Sequence, residues 1–112
     1  MATNLKFKPS GSADVVKYNL YYKPHDAAVP LTADNSAAVI DLGKPNAAAD
    51  GFIHVELNAI SQLAGLDGLY DLGVAAEDDA GNISPLLTQG LANLNLDFLA
   101  PSPPTEASIY YN

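Results

Sequence analysis

Between Gly68 and Pro85 the sequence alternates, turns and starts back. Tyr70, Leu72, Val74 and Ala76 occupy every second position, with Asp71, Gly73, Ala75 and Glu77 between them. A period of two is the pattern of a strand with one buried face. Asp78, Asp79, Gly81 and Asn82 follow, residue types that favour tight turns and tolerate positive φ. Ile83-Ser84-Pro85 then opens a second extended segment.

The same grammar recurs along the chain. Leu5-Lys6-Phe7-Lys8 alternates and stops at Pro9-Ser10-Gly11-Ser12. Residues 16–23 place Val16, Tyr18, Leu20 and Tyr22 on one face and Lys17, Asn19, Tyr21 and Lys23 on the other, and Pro24 closes the strand. Residues 38–42 make a short strand ended by Gly43, and residues 52–57 another, with Ile53, Val55 and Leu57 facing the core. Between Asn58 and Gly68, Ile60, Leu63 and Leu66 suit a short helical turn or a loop held by its leucines. A last strand region spans residues 86–99, with Gly90 as a bulge and residues 94–98 clearly alternating. Beyond it come a stiff spacer, Pro101-Ser102-Pro103-Pro104, and one more strand-like segment, residues 107–111. Frequent turns between about seven short strands indicate an all-β sandwich.

With 112 residues, there is room for one such core. An apolar share of 48% argues against disorder. Thirteen carboxylates face five Lys and no Arg, and all five Lys fall within the first 44 residues among acidic neighbours. Nucleic acid and anionic membrane are therefore poor partners. The absence of Cys removes disulfides and thiolate metal sites. No stretch reads as a secretory signal or approaches the roughly 20 apolar residues of a membrane span.

Three segments carry a family likeness. Leu5 to Pro9 resembles the second strand of a fibronectin type III domain, with Phe7 where that family keeps a core Trp. Asp14 to Tyr22 resembles its third strand, and Leu66 to Pro85 its L…Y…V.A.D..GN.S segment. The resemblance implies a single immunoglobulin-like β-sandwich over residues 1–100, with Phe7 packed against the third strand. It also implies that Tyr70 stands near the start of the sixth strand, its hydroxyl reaching back to nearby backbone. The chain departs from the family in having no Trp and in lacking the first strand: only six residues precede Phe7. Conversely, residues 101–112 look like a surplus strand with its own Pro-rich lead. The expectation is that this tail adds to the open edge of a neighbouring copy, a head-to-tail contact.

Chemistry is sparse. His25 and His54, the two histidines, fall in a loop and on an outer strand face, and no nucleophile elbow is present. No catalytic, cofactor or metal residue is assigned and no enzyme activity is expected. Calcium is the one cofactor considered: Asp78, Asp79 and Asn82, with Asp14, Asp67 or Asp71 nearby, are hard oxygen ligands, but a turn stabilised by its own Asp and Asn side chains explains the same residues. The expected interface residues are Ile109, Tyr110, Tyr111, Tyr21 and Phe7. The expected role is a non-enzymatic structural or assembly module that contacts itself or a larger particle, as a virion accessory protein or surface filament subunit. The alternative is a recognition module that binds a protein or glycan through loops 24–37, 43–51 and 78–85.

Overall fold

Each alternating segment can hide its apolar side chains only by laying that face on another sheet. The computed structural model describes residues 3–105 and 108–111 of the chain and shows this solution; Met1, Ala2, Glu106, Ala107 and Asn112 lie outside the described residues. Six strands form in order: β1 (Asn4–Phe7), β2 (Val15–Pro24), β3 (Ala38–Gly43), β4 (Ile53–Glu56), β5 (Asp67–Asp78) and β6 (Leu94–Asp97). β1 and β4 make a two-stranded sheet, and β3-β2-β5-β6 a four-stranded one; every pairing is antiparallel. The two sheets face each other across one core. Leu5, Phe7 and Ile53 from the first meet Tyr18, Leu20, Ile40, Leu72, Val74 and Leu96 from the second.

Between β4 and β5, two 3₁₀ turns, Leu57–Ala59 and Ser61–Leu63, lower Leu57 and Leu63 into that core. These are the short turns that Ile60, Leu63 and Leu66 foreshadow. Phe7 sets its ring edge-on to Tyr18 at 5.2 Å, so the aromatic of the first sheet packs on the long strand of the second.

Four local expectations need correction. Val15 is buried and Val16 exposed, because the β2–β5 register slips between Val15 and Lys17 and the extra residue turns Val16 out. The far side of the four-stranded sheet is not a solvent face. Asn19, Tyr21 and Lys23 are buried there, Tyr21 with Ala75 under Leu31 and Leu86, which fold back from the adjoining loops. Gly73 makes this second layer possible: a Cβ there would stand 3.2 Å from Leu31 and 3.3 Å from Leu86 and Thr88. The last strand region is broken: Ile83 and Leu87 make isolated bridges to Glu77 and Val74, and only Leu94–Asp97 forms a continuous strand. Positive φ at Gly90 and Asn93 carries the backbone through the intervening loop. Finally, Ser108–Tyr111 form no strand within the chain, for they lie beside no partner strand that could accept their backbone groups.

Candidate functional site

The side of β1 that faces away from β4 is an open sheet edge. Leu57 donates its N–H to the Thr3 carbonyl at 2.9 Å, which makes Thr3 and Leu57 a hydrogen-bonded pair in register with the ladder. Antiparallel pairs alternate, so Leu5 and Phe7 also bond across to Val55 and Ile53, while Asn4 and Lys6 turn their N–H and C=O groups away from β4. No described strand lies on that side. Such an edge is a template for another strand.

A groove of about 350 Å³ runs beside this edge, between β1 and β6. Its walls are Leu5, Leu57, Leu72, Leu91, Leu94 and Leu96, with the backbone of residues 3–6 along one rim. The groove therefore joins an apolar trough to a row of unpaired backbone donors and acceptors, the two ingredients that capture an extended peptide.

The five expected interface residues divide between two settings. Ile109, Tyr110 and Tyr111 are 84%, 79% and 89% exposed, the most exposed of the large apolar side chains among the described residues. Phe7 and Tyr21 are buried within the chain, Phe7 in the main core and Tyr21 in the outer layer, so neither presents a surface to a partner. Tyr70 lies near the start of the long strand β5, but its ring packs edge-on against Tyr22 at 6.2 Å. Among the described residues its hydroxyl makes no hydrogen bond back to backbone. The tyrosine hydroxyl that caps a loop is that of Tyr18, which accepts the Ser10 N–H at 3.0 Å.

A charged cluster also escaped sequence reasoning. Lys23 and Asp71 are both buried, 3.6 Å apart, on the covered face of the β2–β5 pair. The Lys23 ammonium also donates to the Pro24 carbonyl, the His25 Nδ1 lies 2.7 Å from Asp71, and the Asn93 N–H donates to Asp71 at 2.8 Å. Burial opposes the charged form of Asp71, but the hydrogen bonds from Asn93 and His25 and the charges of His25 and Lys23 outweigh it and hold its pKa below the usual carboxylate value. The cluster thus ties β2, β5 and the approach to β6 together. The signal available in the sequence was Lys23 and Asp71 sharing the non-core face of two strands that pair.

At the opposite pole, Asp78 organises the 78–82 turn. Its carboxylate accepts the backbone N–H groups of Ala80 and Asn82 and the Asn82 side-chain amide. These bonds, led by that from the Asn82 side chain, hold its pKa below the ordinary value. Asp78 and Asn82 thus bond within their own turn, and among the described residues no group of three His, Cys, Asp or Glu side chains is brought together. A smaller cavity of about 200 Å³, lined by Ser10, Asp14, Asp78, Asn82 and Ser84 among others, opens at this pole. His54 pairs with Asp50 on the surface at 2.8 Å.

The class that fold and site define is a two-sheet β protein with an open strand edge beside an apolar groove. No protein-family model matches the chain, and neither a curated protein nor a solved structure matches it.

Proposed function

We propose that this chain is a non-enzymatic structural module of fibronectin type III type, one that assembles with copies of itself or on a larger particle, with residues 101–112 as the element that reaches the partner. The family reading is supported by Phe7 packing on Tyr18, by Tyr70 lying near the start of the long strand β5, and by the Asp78–Asn82 turn that follows it. One observation carries the assembly reading. Ile109, Tyr110 and Tyr111 are held out in solvent while the body keeps an open strand edge beside an apolar groove. Solvent-exposed aromatic and aliphatic side chains in sequence are unusual unless something covers them. A virion accessory protein or a surface filament subunit is the setting such a module would serve.

The test is removal of residues 101–112. The full chain is expected to show a mass that rises with concentration in light scattering, and the shortened chain to stay monomeric with the same urea midpoint at low concentration, because no core residue lies beyond Phe98. Equal association by both chains contradicts the proposal. The rival reading, recognition through the pole loops, is favoured by the polar cavity beside the 78–85 loop. It expects a full chain that stays monomeric at every concentration.

A further inference from the structure

The direction in which the chain leaves its last strand decides where the tail can dock. Thr3 is bound to Leu57 and Asn58, so β1 starts at the pole that carries the two 3₁₀ turns. The same turns lead into β5, whose first residue, Asp67, pairs with Asp97 at the end of β6. β6 therefore exits at the pole where β1 begins, and Phe98 is fastened there by its N–H to the Leu66 carbonyl at 2.8 Å. From that point the tail runs outward. The radius of gyration is 18.0 Å and the long axis 72 Å, against about 13 Å expected of a compact chain of this length.

To reach the β1 edge of its own body the tail would have to reverse within a few residues. Pro101, Pro103 and Pro104 oppose that, since each fixes φ and favours extended backbone on both sides. The reversed tail would also lie parallel to β1. A tail arriving from a neighbour stacked at the far pole has neither problem. It runs toward the 3₁₀ pole, antiparallel to β1, which is the stronger ladder.

We propose that residues 108–111 of a second copy add to the free edge of β1 as an antiparallel strand, bonding to the backbone of Asn4 and Lys6, with Ile109 and Tyr111 in the leucine-lined groove between β1 and β6. Alternation puts those two side chains on one face and Tyr110 on the other. The spacer at residues 98–104, about 20 Å when extended, bridges the two bodies. Because donor and acceptor lie at different places on the copy, the contact is heterologous and propagates into a polar filament or a ring. This inference rests on the assembly reading above and adds its acceptor site and polarity.

The acceptor can be blocked without touching the β1–β4 ladder. Lys6→Pro removes an N–H that faces the open edge, and Asn4→Pro does the same one pair away, should the first variant fail to fold by circular dichroism. The donor is blocked by Ile109→Asp with Tyr111→Asp. Each blocked chain alone is expected to lose self-association by roughly tenfold or more, measured by sedimentation velocity. An equimolar mixture of one folded acceptor-blocked chain and the donor-blocked chain is expected to recover association and stop at a dimer, since one chain still donates and the other still accepts. Edge-proline chains that polymerise like the full chain, or a mixture that stays monomeric, overturn the inference while leaving self-assembly standing. A full chain that never associates overturns the assembly reading itself.

Discussion

Asp71→Ala is expected to cost about 3–5 kcal/mol of folding stability, the penalty for stranding a buried charge. Lys23 would keep its ammonium in the covered layer with only the Pro24 carbonyl as partner, and the Asn93 N–H would lose its acceptor. Against the 5–15 kcal/mol that holds a typical domain together, the variant should sit at the edge of unfolding. The double replacement Lys23→Met with Asp71→Leu removes both charges and is expected to recover most of the loss, with about 1 kcal/mol remaining for the unpaired Asn93 N–H. Urea unfolding of the two single variants and the double variant measures this coupling. A single variant within 1 kcal/mol of the parent would mean that the pair is hydrated and does not tie the strands. The pH dependence follows from the direction of the shift. The folded pKa of Asp71 is lowered, so its stabilisation is complete above the unfolded value of 3.8 and is lost as pH falls through the lower folded value. The parent should therefore weaken more steeply than the double variant below about pH 4.

Phe7→Ala is the second large effect, with an expected loss of about 3–5 kcal/mol. Phe7 is 4% exposed and is the aromatic through which the two-stranded sheet grips Tyr18. Its removal leaves a cavity between the sheets that neighbouring leucines cannot fill without moving backbone. Thermal unfolding decides the point. A small loss of stability accompanied by a large loss of self-association would instead place Phe7 at an interface between copies.

Much of this architecture could be read from residue order, and the exceptions share a cause. The alternation from Tyr70 to Glu77 defined both faces of β5, and Ile60, Leu63 and Leu66 marked the turns before it. Those are local patterns, set by neighbours two to four residues apart. What escaped depends on contacts distant in sequence. Lys23 and Asp71 occupy the non-core positions of their strands, and they are buried where they meet each other, His25 and Asn93. Tyr21, expected at an interface, is buried on that same side under Leu31 and Leu86. The Val15–Val16 slip is a register effect between β2 and β5, and a one-residue slip moves every side chain beyond it to the other face. The groove was not legible, because its leucine walls come from five separate segments brought together by the fold.

Amide hydrogen exchange at Asn4 and Lys6, followed residue by residue from dilute to concentrated protein, tests the open-edge assembly most directly. These two N–H groups face away from β4, whereas those of Leu5 and Phe7 bond across the ladder. Leu5 and Phe7 should be protected at every concentration, and Asn4 and Lys6 should exchange freely when dilute and gain protection in step with the rise in mass. Assembly that proceeds while Asn4 and Lys6 continue to exchange freely would contradict the account.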